Sequence, residues 1–316
     1  MTKILVTGAG GFVGTYLIKE LQSQGPSEIY GAVYRATSDI SSLLPSDQIL
    51  EGDLTDPTFA EYLIKQTQPD IIYHLAALSV VGDSFEKAVS IMNSNTTLSY
   101  NLFEAVRLHA KTAKIIAICS ANVYGAVADG SKPITEDTPM RPVNPYAVSK
   151  ATQELLALQY HLAYGLNVII LRPFNHTGPG QTTDFVIPRL ASQFAQIKSG
   201  SMSPNIEVGN IESVRDFTDV RDMVKAYVLA SEYCQAGVIY NIGSGKGYTI
   251  KQIIEILEDL VGIKVTLTVN PNLVRSSDVP ILIADSSRFR AATNYSPQIP
   301  LNQTIKDILN SYQLKG

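Results

Sequence analysis

A glycine-rich turn near the start of the chain limits the possible folds more than any other feature. It reads Thr7-Gly8-Ala9-Gly10-Gly11-Phe12-Val13-Gly14, follows an apolar run and opens a helix-like segment. Glycine at 8 permits a tight turn, glycine at 11 lets a pyrophosphate approach the backbone, and glycine at 14 lets the helix pack closely on the strand. The free N–H groups of that helix, together with Phe12 and Val13, would face the phosphates. The turn therefore predicts a dinucleotide-binding unit.

Apolar runs and helical patterns alternate along the first half of the chain. The runs that read as buried strands lie at 4–7, 28–34, 49–50, 71–75, 114–120 and 167–171. The helical patterns lie at 13–24, 57–66, 88–109 and 147–164. This alternation predicts an α/β fold with a Rossmann-type doubly wound parallel sheet.

The pattern becomes irregular after Pro173, which suggests a second, smaller domain. Helices are expected there at 185–199, 219–233, 249–261 and 305–313, with a strand at 238–242. We expect an NAD(P)-binding domain at 1–175 plus about 210–245, and a substrate-binding domain at about 176–209 plus 246–316.

Composition and charge exclude several classes of protein. Hydrophobic residues make up 45% of the 316 residues, which excludes a disordered chain, and the net charge of −4 without a basic run argues against nucleic-acid or membrane binding. No apolar stretch approaches the about 18 residues of a membrane helix, and the N-terminus shows no signal-peptide pattern. The two cysteines, Cys119 and Cys234, make neither a disulfide framework nor a zinc site. We expect a cytoplasmic protein without a bound metal.

The end of the second predicted strand bears on the choice of cofactor. Folds that bind NAD usually place a carboxylate there, against the ribose 2′-hydroxyl. Here the chain reads Tyr34-Arg35-Ala36-Thr37-Ser38, without a carboxylate. Arg35 could pair with the 2′-phosphate of NADP(H), or it could be a solvated surface residue. We expect NADP(H), with NAD(H) as the alternative.

Asp53 and Leu54 end the third predicted strand, where an adenine edge would lie. Asp53 could equally be a helix-capping or turn residue, as aspartate often is.

A tyrosine and a lysine four positions apart form the candidate catalytic pair. Tyr146 and Lys150 fall in a helical pattern, so they lie on one helix face about one turn apart. A nearby ammonium would stabilise the phenolate and lower the tyrosine pKa from its usual value near ~10. Such a pair can pass a proton to or from a substrate oxygen. The spacing is common by chance, but Ser120, at the end of a buried strand, could hold that oxygen by a hydrogen bond. Ligands bind at the carboxyl ends of such strands.

Four segments resemble one known superfamily: TGAGGFVG at 7–14, CSANVYG at 119–125, NPYAVSK at 144–150 and RPFNHTGPGQ at 172–181. They are similar to the extended short-chain dehydrogenases/reductases, and the resemblance covers essentially the whole chain. Within that superfamily, 207–222 and 275–280 resemble reductases of nucleotide-linked 4-keto-6-deoxyhexoses. The resemblance implies a nicotinamide cofactor and a nucleotide-sugar substrate, with a GDP-sugar favoured.

The resemblance also implies roles for individual positions. Tyr146 would donate a proton, Lys150 would bind the nicotinamide ribose, and Ser120 would hold the substrate carbonyl. The residues implied beside the cofactor diphosphate and ribose are Leu75, Ala76 and Ala77. The residues implied at the substrate are Ser84 and Asn122 near the hexose, Asn175, Arg215 and Arg275 at the diphosphate, Asp278 at the nucleoside ribose, and Val186 and Arg189 near the base. Each arginine could otherwise form a structural ion pair.

Two positions depart from the wider superfamily and bear on the reaction. Sugar-nucleotide 4,6-dehydratases carry an acidic pair, or at least a glutamate, directly after the catalytic serine or threonine. Ala121 and Asn122 stand there instead, and neither can act as a general acid or base. Tyr34 also stands where related GDP-mannose dehydratases tend to have a second arginine, which counts against NADP(H).

The resemblance and these departures favour an NAD(P)H-dependent reductase of a 4-keto sugar. One alternative is a nucleotide-sugar 4-epimerase, which would use the same three residues with tightly held NAD. Another is a catalytically inactive nucleotide sensor, a class that often lacks the tyrosine or the lysine.

Two long helical patterns carry more apolar residues than one buried face requires, which predicts a homodimer built on a four-helix contact. The residues concerned are Val89, Ile91, Leu98, Leu102 and Val106 in 88–109, and Leu155, Leu156, Leu158 and Leu162 in 147–164.

Overall fold

The structure is a computed structural model, and it describes residues 1–34, 40–79, 85–125, 127, 132–273 and 279–313. The elements of the first half are β1 (Thr2–Thr7), α1 (Phe12–Ser23), β2 (Ser27–Val33), β3 (Ile49–Glu51), α2 (Pro57–Thr67), β4 (Ile71–His74), α3 (Ala88–His109), β5 (Lys114–Ile118), α4 (Pro145–Tyr164) and β6 (Asn167–Pro173). The strands and helices predicted for this half are confirmed within a few residues at each end.

The second half contains strands that the sequence pattern did not indicate. Its elements are β7 (Asn175–Thr177), α5 (Val186–Lys198), β8 (Asn205–Val208), β9 (Val214–Asp219), α6 (Val220–Tyr233), β10 (Ile239–Ile242), β11 (Gly247–Thr249), α7 (Ile250–Val261), β12 (Thr266–Val269), β13 (Ile281–Leu282), α8 (Ser287–Thr293) and α9 (Leu301–Gln313). Most of the additional strands have two to four residues, too few for a clear period-2 pattern.

Seven parallel strands form the main sheet, in the order β10-β6-β5-β4-β1-β2-β3. The chain runs outward from β1 through β2 to β3 and then returns to place β4 on the other side of β1. In such sheets a ligand binds in the crevice beyond the carboxyl ends of the strands, where the strand order reverses. The expected doubly wound α/β sheet is confirmed, and the reversal lies at the β1/β4 pair.

Both faces of this sheet are covered, which explains why its strands read as continuously apolar. In β1, Ile4 and Val6 face one hydrophobic core, whereas Leu5 faces the other. The first core contains α1 and α6, and the second contains α2, α3 and part of α4. Successive side chains of a strand point to opposite faces, so a strand that is buried on both faces needs apolar residues at every position.

Local sequence signals fix the start and end of α4, the helix that carries the candidate pair. The Asn144 side chain accepts a hydrogen bond from the backbone N–H of Ala147 at 2.8 Å, and Pro145 occupies the first helical position. Gly165 ends the helix with φ of 71°, a left-handed conformation that glycine adopts without strain. The position of Tyr146 in the first turn is therefore set by its neighbours in sequence.

A second group of elements covers the crevice end of the sheet. Strand β9 pairs with β7, β11 and β13, while β8 pairs with β12. Helices α5, α7 and α9 pack with β8 around a third hydrophobic core, whose members include Phe194, Ile206 and Leu257. Helix α8 instead packs on the sheet side, where Phe289 joins the core of α1 and α6. The proposed division into two domains remains a prediction.

Among the described residues, no helix combines the length and the apolar character needed to cross a membrane.

Candidate active site

A cavity of about 950 Å³ opens at the carboxyl ends of the central strands. Its walls come from the glycine turn, the segments after β3, β4 and β5, the start of α4, and the second group of elements. A cavity of this size lies at the upper end of the range for small-molecule and cofactor sites. The structure thus joins in one space the segments that the sequence analysis singled out.

The glycine turn has the close packing that a dinucleotide site requires. A Cβ atom at Gly8, whose φ is 71°, would lie 2.9 Å from the backbone nitrogen of Ala76. A Cβ atom at Gly14 would lie 2.4 Å from the carbonyl oxygen of Gly8. No side chain caps the start of α1, and its first turn contains no acidic residue. Its N–H groups are therefore available to an anion, and Gly11, Phe12 and Val13 line the cavity beside them.

The remaining cofactor residues that the structure describes also line this cavity; they are Asp53, Leu54, Leu75, Ala76 and Ala77. One carboxylate oxygen of Asp53 accepts a hydrogen bond from the N–H of Thr55 at 2.8 Å, so Asp53 acts as a turn residue as well as lining the cavity. Arg35, with Thr37 and Ser38, lies outside the described residues.

The candidate catalytic residues converge at the end of β5. The side chains of Ser120 and Tyr146 lie close enough together for the serine hydroxyl to lower the pKa of the tyrosine. The backbone N–H of Asn122 donates to the Ser120 hydroxyl at 3.2 Å, which orients that side chain. Nζ of Lys150 donates to the carbonyl oxygen of Ile118 at 2.8 Å, so α4 is tied directly to β5. Tyr146, Lys150 and Ser120 are all more than nine-tenths buried.

Burial moves the pKa values of the pair in opposite directions. Burial raises the pKa of Tyr146 to about 12, although the nearby Ser120 hydroxyl acts in the opposite sense. Burial lowers the pKa of Lys150 to about 8. The sequence-based expectation of a lowered tyrosine pKa is therefore wrong for the protein without ligands, because desolvation of the phenolate dominates. Tyr146 is neutral at pH 7 and can donate a proton.

The described substrate candidates lie on the cavity wall. They are Asn122, Asn175, Val186, Arg189 and Arg215. Arg215 belongs to β9 and donates from Nη1 to the carbonyl oxygen of Val214 at 2.9 Å. Ser84, Arg275 and Asp278 lie outside the described residues.

Two polar residues at the site received no role in the sequence analysis. His176 lines the cavity with its Nδ1 atom 3.1 Å from the carbonyl oxygen of Phe174, and burial lowers its pKa. Gln153 places its side-chain oxygen 2.8 Å from Nζ of Lys150. His176 stood in a recognised motif, and Gln153 stands three residues after Lys150 on the same helix face, so both positions carried a usable signal.

The chemistry of these residues fits a nicotinamide dinucleotide. In the glycine turn, Gly8 and Gly14 leave no room for a Cβ atom. The N-terminus of α1, which no side chain caps, faces the cavity. In the described ranges, no group of three or more His, Cys, Asp or Glu side chains is arranged to hold a metal ion.

Comparisons with known proteins agree with this geometry. The chain matches the family described as GDP-mannose 4,6 dehydratase over residues 5–308. It is 33% identical over 311 residues to GDP-6-deoxy-D-mannose reductase of Pseudomonas aeruginosa, covering 98% of this chain and 97% of that protein. It is 29% identical to UDP-glucose 4-epimerase of Corynebacterium glutamicum, covering 94% and 91%.

A solved structure extends the similarity to the fold. The structure of RMD from Pseudomonas aeruginosa complexed with NADPH superposes with a TM-score of 0.86 at 30% identity, over 100% of both chains. The chain therefore belongs to the GDP-mannose 4,6 dehydratase family, within the extended short-chain dehydrogenase/reductase superfamily of NAD(P)-dependent enzymes that act on nucleotide sugars.

Proposed function

We propose that this protein reduces the 4-keto group of a nucleotide-linked 6-deoxyhexose with NADPH, converting GDP-4-keto-6-deoxy-D-mannose to GDP-D-rhamnose. The observation that carries the proposal is the cluster of Ser120, Tyr146 and Lys150 at the end of β5, with Ala121 and Asn122 where dehydratases have carboxylates. The similarity to GDP-6-deoxy-D-mannose reductase supports the choice of substrate.

The three residues divide the work of a carbonyl reduction. When bound, NADPH supplies the hydride to C4 of the sugar. Ser120 holds O4 by a hydrogen bond, and Tyr146 gives its hydroxyl proton to the same oxygen. The remaining N–H of Lys150 binds the nicotinamide ribose, and the ammonium stabilises the phenolate that Tyr146 leaves behind. A tyrosine with a pKa of about 12 is fully protonated before the step, as a proton donor must be.

The described carboxylates on the cavity wall support reduction over dehydration. They are Asp53 and Asp184. Asp53 follows β3, four strands away from β5, which corresponds to roughly 19 Å at ~4.8 Å per strand. Asp184 is exposed and accepts a hydrogen bond from the Thr182 hydroxyl at 2.9 Å. Proton removal from C5 of the sugar needs a base within hydrogen-bond reach, and the two positions directly after Ser120 carry no carboxylate.

The positive charges on the substrate side support a sugar diphosphate. Arg189 and Arg215 line the cavity, and a guanidinium binds phosphate oxygens with paired donors. Asn175 adds an amide on the same wall. Arg215→Ala is expected to weaken sugar-nucleotide binding by about 1.5–3 kcal/mol, the value of a lost charged hydrogen bond.

We also propose a homodimer through α3 and α4. The apolar residues on these helices that remain exposed in the single chain include Val89, Tyr100, Leu155 and Leu162. By contrast, Ile91, Leu98, Leu102 and Val106 are buried within the chain. The exposed apolar residues form the surface that a second copy of the chain would cover.

The function is tested by supplying candidate substrates to the purified protein. With GDP-4-keto-6-deoxymannose and NADPH, oxidation of NADPH should match the loss of the keto sugar, and the product should be GDP-rhamnose. GDP-mannose should remain unchanged. Its conversion to a 4-keto product would overturn the reductase proposal.

The 4-epimerase is the second candidate, because an epimerase of this fold has similar sequence. An epimerase retains its cofactor through the reaction, whereas a reductase exchanges it at each turnover. Interconversion of UDP-glucose and UDP-galactose without added NADPH, together with NAD retained by the purified protein, would establish the epimerase instead.

A further inference from the structure

Lys150 is held by two uncharged oxygens. Its Nζ atom donates to the carbonyl oxygen of Ile118 at 2.8 Å and to Oε1 of Gln153 at 2.8 Å. An ammonium has three N–H donors, so one remains for the cofactor ribose. Because the side chain is 97% buried, water supplies little of the solvation that the charge requires, and these two oxygens must replace it.

Gln153 makes this contact at the expense of its own amide nitrogen. Its side chain is 1% exposed, and within the described part of the chain Nε2 has no hydrogen-bond partner. The amide cannot be reversed, because Nε2 would then direct a donor at the three donors of Lys150. A buried amide nitrogen without a partner lowers the free energy of unfolding. The observed orientation of Gln153 therefore solvates the Lys150 ammonium at a cost in stability.

The other groups around Lys150 add no free negative charge. Tyr146 is neutral, burial raises the pKa of the Cys119 thiol, and burial lowers the pKa of His74 to about 3, so that its imidazole is neutral as well. Glu154 lies on the next turn of α4, and both of its carboxylate oxygens accept hydrogen bonds from Arg172 of β6, at 2.5 and 2.8 Å.

Helix α3, which packs on α4, presents uncharged groups in this region. Its Asn95 donates to the Ser149 hydroxyl at 2.9 Å, and its Ser99 contacts His74 at 3.2 Å. The described surroundings therefore keep the ammonium charged by dipoles rather than by a carboxylate.

We propose that Gln153 is a positioning residue that holds the Lys150 ammonium charged and directed at the nicotinamide ribose, and so sets the upper pH limit of cofactor binding. This role rests on the part of the proposed function that assigns Lys150 to the ribose. A neutral acceptor suits that role, because a carboxylate at 153 would bind the ammonium more strongly and compete with the ribose for it.

The test is a fluorescence titration of the full-length protein with NADPH alone between pH 6.5 and 9.5. For the wild type, the Kd is expected to rise once the pH passes about 8, where Lys150 loses its proton. Gln153→Met keeps the side-chain volume but removes the acceptor, so the rise should begin about one pH unit lower, and the Kd at pH 8 should be about fivefold higher. Gln153→Glu should move the rise to higher pH.

Two further variants make the result specific. Ser231→Ala removes a buried hydroxyl that bonds Tyr73 at 2.9 Å in another part of the core, and its pH midpoint should equal that of the wild type. Lys150→Met should abolish the pH-dependent rise. Equal midpoints in the wild type, Gln153→Met and Gln153→Glu would overturn the proposal. If circular dichroism shows that Gln153→Met does not fold, Gln153→Glu alone tests the proposal. A pH midpoint shifted upward would then support it, and an unshifted or lower midpoint would overturn it.

The titration needs no sugar nucleotide, so it separates this proposal from the proposed reaction. Opposite shifts in the two variants would support the role of Gln153 even if GDP-4-keto-6-deoxymannose were not reduced. Reduction of that substrate together with unshifted pH midpoints would support the proposed reaction and contradict the role of Gln153.

Discussion

The hydroxyl of Thr7 lies 2.9 Å from Nδ1 of His74, and this contact ties the end of β1 to the end of β4. The same hydroxyl oxygen accepts a hydrogen bond from the backbone N–H of Ala76 at 3.2 Å. Ser99 donates its own proton to the carbonyl oxygen of Asn95 at 2.9 Å, so His74 Nε2–H donates to Ser99 and Nδ1 accepts from Thr7. A buried neutral imidazole therefore links α3 to the loop at Ala76 that lines the cavity.

Thr7→Val should weaken both stability and cofactor binding. Valine keeps the shape but leaves the N–H of Ala76 and Nδ1 of His74 unpaired, at a cost of about 1–3 kcal/mol in the free energy of unfolding. Chemical denaturation and NADPH titration measure the two effects. Thr67→Val is the matched control, because its buried hydroxyl donates to the carbonyl oxygen of Leu63 within α2. It should lose stability without changing the Kd of NADPH, and equal Kd values for both variants would contradict the role of Thr7.

Tyr146→Phe should abolish turnover and leave NADPH binding nearly intact. The ring still packs, but the transferable proton is gone, and loss of a general acid lowers the rate by about 100–10,000-fold. The measurement is kcat with GDP-4-keto-6-deoxymannose, alongside the Kd of NADPH. Tyr73→Phe, which removes another buried tyrosine hydroxyl, serves as the control and should keep its activity. A Tyr146→Phe enzyme with more than about a third of the wild-type kcat would remove Tyr146 from the catalytic role.

The kcat/KM for reduction should fall as the pH rises through about 8. Lys150 has its folded-state pKa lowered to about 8 by burial, and its charged form is the one that binds the ribose. Tyr146, with a pKa raised to about 12, stays protonated over that range. Between about pH 8 and the ordinary lysine pKa the unfolded chain binds more protons at this position, so the Lys150 contribution to stability of the ligand-free protein rises with pH there.

A pH series of initial rates and of unfolding midpoints checks both trends, with Lys150→Met as the reference that lacks this group. A rate that stays level up to pH 10 would be incompatible with an essential ammonium at Lys150.

Arg35→Asp should move the cofactor preference from NADPH toward NADH. The arginine provides charge for a 2′-phosphate, whereas an aspartate repels it and can accept from a ribose 2′-hydroxyl. The ratio of kcat/KM for the two cofactors measures the change. Lys19→Asp in α1 makes the same charge change at another position and should leave the ratio as it is. An Arg35→Asp ratio equal to that of the wild type would show that Arg35 does not read the 2′-phosphate.

Leu162→Glu should dissociate the proposed dimer. Leu162 of α4 is 79% exposed in the single chain, so the substitution has little effect on the fold, but it would place a charge in the α3–α4 contact. Light scattering at the working concentration should give twice the mass of one chain for the wild type and 34.3 kDa for the variant. A wild-type mass near 34.3 kDa would end the dimer proposal.

Features that depend on neighbours along the chain could be predicted from the amino-acid sequence. The turn at 7–14 required a glycine at 14 because a Cβ atom there would lie 2.4 Å from the carbonyl oxygen of Gly8, six residues earlier in the chain. The one-turn spacing of Tyr146 and Lys150 followed from helix geometry, and the sheet followed from apolar runs buried on both faces. These are local rules, so the residues alone were sufficient.

Contacts between residues that are distant in the sequence follow from the packing of the elements and could not be predicted from the residues alone. Ser120 and Tyr146 stand 26 positions apart in the sequence, and their side chains lie close together because the end of β5 lies beside the first turn of α4. The raised pKa of Tyr146 and the acceptor that Gln153 offers to Lys150 also depend on this packing, since burial is a property of the assembled core. Helix and strand periodicity fix directions within one element, whereas distances and desolvation between elements arise only when the elements pack together.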